Sequence, residues 1–156
     1  MSPCDNSDPI DDCEILYRRI AKNNNWYTPE SRIPLSPNAF MPQYFDPDGI
    51  SLDRARFLAN PEDAAAHGRE GKQYYIVELN VGAIRRLGLS VCWRPESDNC
   101  AHCQIPELNY PRKLSDRDSV TRIAAELAKL CKCSVSGPYF GLKSVPVANT
   151  HLVDDA

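Results

Sequence analysis

One segment near the C-terminal end of the chain carries apolar residues at helical spacing. The residues follow the pattern i, i+3, i+4, i+7, i+8 and i+11: Val120, Ile123, Ala124, Leu127, Ala128 and Cys131. This spacing places them on one face of an α-helix, which can pack against a core. The pattern therefore predicts the longest helix of the chain near residues 115–132, beginning at Ser115. After Cys133, two prolines allow a short closing strand or an irregular arm.

Continuous apolar runs elsewhere predict β-strands. The clearest run is QYYIVELN at residues 73–80, which is typical of a central strand, and EILYRRIA at residues 14–21 predicts the first strand. Residues 89–93 and 101–105 predict two more. A short helix is expected over residues 81–87, so the order strand, helix, strand predicts a crossover unit.

Turn and capping residues predict short elements between these runs. Five prolines lie between Trp26 and Gly49, so regular structure there must be short, and Ser-Pro at 36–37 predicts one helical turn. Asp-Gly at 48–49 predicts a turn, after which Ser51 is expected to cap a helix over residues 52–59.

A second capped helix is expected after Asn60. Asn-Pro-Glu-Asp combines a capping side chain, a proline at the first helical position and two acids that suit the helix dipole. Gly68 would end this helix, with His67 on the surface beside it. Together these elements predict an α+β fold, with a small mixed β-sheet packed against a few helices.

The length of 156 residues suits one domain with one hydrophobic core. We expect a flexible leader at residues 1–12, because four aspartates and two prolines leave little apolar surface to bury. The globular domain is expected over residues 13–150, and residues 151–156 form a tail.

Charge and composition exclude several classes of protein. The formal net charge of -3 gives no general attraction to nucleic acid or anionic lipid. No run approaches the roughly 20 apolar residues that span a bilayer, so no membrane partner is expected. The polar, acidic N-terminus lacks the features of a secretory signal, which predicts a cytoplasmic protein whose seven cysteines are reduced thiols.

Cysteines cluster around His102, which suggests three different roles for this histidine. Cys100 and Cys103 flank it, and Cys92, Cys131 and Cys133 are further possible ligands of a structural zinc ion. His102 is alternatively a general base, since its ordinary pKa permits proton transfer at cellular pH. The third role is structural, with the imidazole bonded to a backbone carbonyl. On a strand, Cys100, His102 and Gln104 share one face and Cys103 lies on the other.

Arg18 and Arg19 are the predicted substrate-binding residues. A guanidinium group binds phosphate or carboxylate through paired hydrogen bonds. Because neighbours on a strand face opposite sides, only one of the two is expected to enter a pocket. His102 and Ser51 are predicted catalytic residues, with Ser51 a nucleophile if a base lies beside it.

Four sequence blocks resemble those of a group of small uncharacterised bacterial proteins. The blocks are LYRRI at 16–20, SPNAF at 36–40, DGISLDRA at 48–55 and AHCQI at 101–105. The resemblance covers most of residues 14–106. It implies a bacterial, cytosolic, single-domain protein and leaves the activity open.

A more distant resemblance is to ADP-ribosyltransferases, in which an arginine or histidine of the first strand helps to hold NAD. The resemblance implies that Arg18 or Arg19 contacts NAD, that Ser51 belongs to the serine element, and that Glu78 or Glu107 is the catalytic glutamate. No Ser-Thr-Ser element and no Glu-x-Glu pair is present.

Three functions follow from these observations. The first is a toxin-like or defence-associated transferase acting on a phosphate-bearing substrate such as NAD, which predicts a pocket joining Arg18 or Arg19 with Ser51 and His102. The second is a non-catalytic module of a defence or toxin-antitoxin operon that binds a protein partner through residues 26–49. It predicts an exposed apolar patch around Trp26, Tyr27, Phe40 and Tyr44. The third is a small zinc-stabilised domain, and no cofactor is assigned.

Overall fold

Six β-strands form one antiparallel sheet in the computed structural model. The structure describes residues 4–23, 25–29, 35–44, 46–110, 116–131 and 135–144. The strands are β1 (Ile15–Ala21), β2 (Ile50–Arg54), β3 (Gln73–Asn80), β4 (Cys92–Trp93), β5 (His102–Ile105) and β6 (Val135–Phe140). They lie in the order β4-β5-β2-β1-β3-β6, so β5 is separated from β1 by β2 alone.

Among the described residues, the sheet is accompanied by three α-helices and by short 3-10 helices. The α-helices are α1 (Pro61–Ala66), α2 (Val81–Arg86) and α3 (Arg117–Leu130), and the 3-10 helices are Pro37–Phe40 and Ala55–Phe57. The predicted α+β class and single domain are therefore confirmed. Ser115 and residues 145–156, with the predicted tail, lie outside the described residues.

Several predicted elements have the expected bounds. The run at residues 73–80 is β3, and Asn60 caps α1 by accepting a hydrogen bond from the backbone of Asp63. Ser36 caps the 37–40 turn, whose Phe40 is fully buried. The predicted helix over residues 52–59 is wrong. Residues 50–54 form β2, because their backbone pairs with both β1 and β5.

The predicted crossover unit is also wrong. Strands β3 and β4 lie at different places in the sheet, with β3 between β1 and β6 and β4 at the far edge. The six residues of α2 extend about 9 Å, whereas the eight residues of β3 extend about 26 Å. A helix this short cannot return the chain along the strand for a parallel pairing.

One face of the sheet carries the main hydrophobic core. Alternate residues of four strands are buried there, and α3 covers them together with the 37–40 turn. The buried strand residues are Leu16, Ile20, Ile50, Leu52, Tyr75, Val77, Leu79, Cys103 and Ile105. Burial of these residues and of Ala124 and Leu127 on α3 stabilises the sheet through the hydrophobic effect.

The opposite face is mostly polar near β2. The strand registers place Ser51 opposite Gln104 and Asp53 opposite both His102 and Tyr17. Alternation along a strand therefore puts these side chains on one face. Helix α1 covers part of this face with apolar contacts, where Ala64 and Ala65 pack with Ile76.

Residues 4–12 are bound to the rest of the chain, unlike the predicted flexible leader. A disulfide joins Cys4 to Cys92, where the sequence predicts reduced thiols, and the Asp5 amide donates to the carbonyl of Trp93. Ile10 packs against the core. In the part of the chain that the structure describes, no helix combines the length and apolar character needed to cross a bilayer.

Candidate functional site

A cleft opens where β1 and β2 stop pairing. Their register covers two residue pairs, Leu16 with Arg54 and Tyr17 with Asp53. Beyond these pairs a side chain bridges the strands. Nη1 of Arg18 donates to the carbonyl of Ser51 at 2.9 Å, and its Nε donates to the carbonyl of Ala39 at 3.1 Å. Arg18 therefore links β1, β2 and the 37–40 turn at the edge of the cleft.

The cleft has a volume of about 520 Å³. Cationic, aromatic and hydroxyl side chains line it: Arg18, Arg19, Trp26, Ser51, Lys72 and Tyr74, together with Ala21, Met41, Gln43 and Asp46. Among the described lining residues, three cations thus accompany one carboxylate. Such a surface suits an anionic ligand that also presents a flat or apolar part.

Both arginines line the cleft, whereas the alternation of a regular strand predicts only one. The cleft lies at the end of the β1–β2 ladder, where side chains from both faces of β1 reach it. Burial lowers the pKa of Arg18 to about 10, so this side chain stays positively charged at neutral pH. Burial also raises the pKa of Asp46, against the opposing effects of a Gln43 backbone hydrogen bond and the charge of Arg18.

Arg19 is held by Asp53 on the polar face. Its Nη1 lies 3.2 Å from Oδ2 of Asp53 and donates to the carbonyl of Ala64 at 3.1 Å. Asp53 is only 2% exposed. Burial alone would raise the pKa of this carboxyl, but hydrogen bonds from His67 and Asn99 and the charge of Arg19 bring it below its usual value. Asp53 is therefore a carboxylate at neutral pH.

Ser51 and His102 form a hydrogen-bonded pair. Oγ of Ser51 lies 3.1 Å from Nε2 of His102, and Nδ1 of His102 lies 2.8 Å from the carbonyl oxygen of Arg94. A carbonyl oxygen only accepts, so Nδ1 carries the proton. In the neutral imidazole Nε2 is then the acceptor, and the Ser51 hydroxyl donates to it. This is the arrangement in which an imidazole can take a proton from a serine nucleophile.

A second cavity lies on the other side of this pair. It has a volume of about 440 Å³ and is lined by Asp5, Asp48, Trp93, Arg94, Pro95, Glu96, His102 and Gln104. Oε2 of Glu96 lies 4.0 Å from Nδ1 of His102. Ser51 faces the first cavity and His102 faces the second, so the pair lies between them.

Of the three predicted catalytic residues, two are adjacent and one lies elsewhere. The structure brings Ser51 and His102 together, although Ser51 reaches this position on a strand and caps no helix. Glu107 accepts hydrogen bonds from the amide and hydroxyl of Ser90, at 2.9 and 2.7 Å, and lines neither cavity. It does not join this site, because β5 ends at Ile105 and the chain turns away before Glu107. Its catalytic role stays a prediction of the sequence. Glu78 is exposed on β3 and lines neither cavity.

The cysteines near His102 are dispersed. Cys103 is buried on the core face, opposite His102 as strand alternation predicts, and Cys100 is exposed. Cys92 is bonded to Cys4, and burial raises the pKa of Cys131 to about 12. Among the residues that the structure describes, no group of three or more histidine, cysteine or acidic side chains is placed to hold a metal ion. Cys133 lies outside those residues.

The predicted apolar contact surface does not form from the four named aromatics. Phe40 is fully buried, and Trp26 and Tyr27 are half-buried against the core. Tyr27 also packs edge-on against Tyr75, with ring centroids 4.8 Å apart. Tyr44 alone of the four is largely exposed, at 67%.

Sequence reasoning missed Asp53, Asn99, His67 and Glu96. His67 was expected on the surface, but its Nδ1 lies 3.1 Å from Oδ2 of Asp53. The period-2 signal that would place Asp53 beside Ser51 is present only if residues 50–54 are interpreted as a strand. Because Ser51 was interpreted as a helix cap, residues 52–59 were assigned to a helix and this alternation was not recognised.

No protein-family model, curated protein or solved structure matches this chain. The evidence for the candidate site is therefore the geometry of its own residues.

Proposed function

We propose that this chain is a transferase that binds a phosphate-bearing substrate such as NAD in the cleft between β1 and β2. The observation that carries the proposal is the Ser51–His102 hydrogen bond at the wall of a cationic cleft. Neither the hydrogen bond nor the cationic cleft alone would indicate a transferase. A serine bonded to histidine is common in folded proteins, and arginines are common on surfaces.

The composition of the cleft supports a nucleotide-like substrate. Arg19 binds Asp53 and Ala64 through Nη1, which leaves Nε and Nη2 available for phosphate oxygens. Lys72 adds an exposed ammonium group, while Trp26 and Tyr74 offer rings for a base or nicotinamide. Arg18 is mainly structural, since its Nε and Nη1 already bind two backbone carbonyls.

The pair would act in two proton transfers. As Oγ of Ser51 bonds to the electrophilic carbon or phosphorus of the substrate, its proton moves to Nε2 of His102. The leaving group departs with the electrons of the broken bond; nicotinamide leaves as a neutral base, so the proton stays on Nε2 of His102. Glu96 stabilises this imidazolium. An acceptor molecule then displaces Ser51, whose Oγ takes the proton back from Nε2 while the proton of the acceptor passes to solvent.

Titration with NAD tests the proposal. We expect calorimetry to show binding to the wild-type protein and chromatography to show release of nicotinamide. Arg19→Ala should weaken binding about tenfold or more, because it removes a charged hydrogen-bond donor. His102→Ala should leave the affinity for NAD unchanged and lower the release rate by a factor on the order of 100 or more, the usual contribution of a positioned base.

Glu62→Gln is the matched control, because Glu62 is an exposed acid of α1 outside both cavities. It should bind and react as the wild type does. Absence of NAD binding, or equal binding by Arg19→Ala, would contradict the proposed function.

A further inference from the structure

We infer that Asp53 is a positioning residue that fixes Arg19 for the phosphate of the substrate, an inference that rests on the proposed function. Asp53 lines neither cavity, so it would act through the residues that it binds. Its carboxylate connects the cleft to the turn that carries His102.

The two oxygens of Asp53 have different partners. Oδ2 contacts Nη1 of Arg19 at 3.2 Å and Nδ1 of His67 at 3.1 Å, and Oδ1 accepts from Nδ2 of Asn99 at 2.8 Å. The second Nη1 hydrogen bond of Arg19, to the carbonyl of Ala64, is at 3.1 Å. Two contacts on one nitrogen fix the plane of the guanidinium, which leaves its other donors in a defined direction.

Asn99 extends this arrangement to the catalytic pair. Its Oδ1 accepts from the amide of Ala101 at 3.1 Å, and its carbonyl accepts from the amide of His102 at 3.3 Å. The same carboxylate therefore holds the phosphate-binding side chain and the turn that begins β5. This sets the separation between Arg19 and the Ser51–His102 pair.

A buried carboxylate at this position is costly unless its partners are maintained. Arg19, His67 and Asn99 supply those partners for Asp53. The buried charge is therefore compensated by the side chains that it holds in place.

The direction in which Asp53→Asn changes the affinity for NAD distinguishes a positioning role of Asp53 from a purely electrostatic one. Asp53→Asn removes a negative charge beside the cleft, so electrostatics alone would tighten the binding of NAD. A purely structural role would lower thermal stability and leave the affinity of the folded protein unchanged. Positioning predicts weaker binding, because the guanidinium loses its fixed orientation.

Calorimetric titration of NAD into wild type, Asp53→Asn, Arg19→Ala and Glu62→Gln tests the inference. We expect Asp53→Asn to bind about tenfold more weakly, since misplacing a binding group by about 1 Å is enough for such a loss. Circular dichroism confirms that the titrated sample is folded. Tighter or unchanged binding by Asp53→Asn, with weak binding by Arg19→Ala, would overturn the positioning role and leave the proposed function intact.

Asn99→Ala keeps the test decisive if Asp53→Asn does not fold. This variant retains the Arg19–Asp53 ion pair and removes the hydrogen bond that fixes the other carboxylate oxygen. We expect NAD binding to weaken about threefold, and binding as tight as in the wild type would overturn the inference. Failure of the wild-type protein to bind NAD would instead overturn the proposed function.

Discussion

The side chain of Arg54 attaches the N-terminal segment to β2. It is fully buried, and its Nε and Nη2 bind both oxygens of Glu14 at 3.0 and 2.7 Å. Nη1 donates to the carbonyl of Asp8 at 2.9 Å. The guanidinium also lies over the rings of Phe57 and Trp93, 5.0 and 4.8 Å from their centroids. Residues 8–14 are thereby attached to β2 beside the candidate site.

Replacing Arg54 should strongly destabilise the fold. We expect Arg54→Ala to lower the free energy of unfolding by about 3–5 kcal/mol, because the largely buried Glu14, whose side chain is 11% exposed, loses its partner. Arg56→Ala is the control, since Arg56 is an exposed partner of Asp8 and should cost less than about 1 kcal/mol. Urea denaturation at pH 7 measures both values, and equal small losses would contradict this account.

The cost of Arg54→Ala should depend on pH in one direction. Burial would raise the pKa of Glu14, but the hydrogen bond and charge of Arg54 help to hold it below its ordinary value of 4.5. A lowered pKa stabilises the folded state above the unfolded pKa, and this stabilisation is lost as pH falls through the folded pKa. The difference between wild type and Arg54→Ala should therefore shrink when the same urea experiment is repeated near pH 3.

At the scale of elements, the connection between the turn at Gly49 and β5 positions Ser51. Gly49 has φ of +115°, and a Cβ built there would lie 2.2 Å from the carbonyl oxygen of Ile105. Only glycine fits this close approach. Since Ser51 follows two residues later on β2, the distance between Ser51 and His102 depends on this contact.

Two glycine substitutions distinguish the free-energy cost of backbone strain from the cost of a steric clash. Gly88 has φ of +85°, and a Cβ added there would have no neighbouring atom within 4 Å, so Gly88→Ala should cost about 1 kcal/mol from backbone strain alone. Gly49→Ala should cost about 3 kcal/mol or more, because β2 or β5 must also shift. Thermal and urea unfolding measure the two costs, and a Gly49→Ala cost no larger than that of Gly88→Ala would contradict the role of this contact.

Hydrophobic periodicity predicted most individual elements, because each of these signals lies within one short segment of the sequence. The apolar run of β3 and the helical spacing of α3 are visible within one short segment, as is the Asn60 cap of α1. Residues 50–54 lack such a signal, since Ser51 after Asp-Gly is typical of both a helix cap and a strand start. Pairing with β1 and β5, which are distant in sequence, decides between them.

At the scale of the whole molecule, the sheet order creates the site. Placing β2 between β1 and β5 brings Arg19, Ser51 and His102 to neighbouring strands. These three residues were predicted from the sequence as functional residues. The cleft was not predicted, because it depends on where the β1–β2 ladder stops. Asp53 was missed because residues 52–59 were interpreted as a helix. The cytoplasmic location, the toxin-like or defence-associated role and the bacterial resemblance stay predictions of the sequence.

The central claim is that His102 activates Ser51, and labelling with a fluorophosphonate probe measures this most directly. Such a probe forms a bond to a serine oxygen whose proton is taken up by a neighbouring base. Mass spectrometry should find one adduct, on Ser51, that is absent in Ser51→Ala, reduced about 100-fold or more in His102→Ala, and unchanged in Ser90→Ala. An unlabelled wild-type protein, or equal labelling of Ser51 in His102→Ala, would contradict the claim.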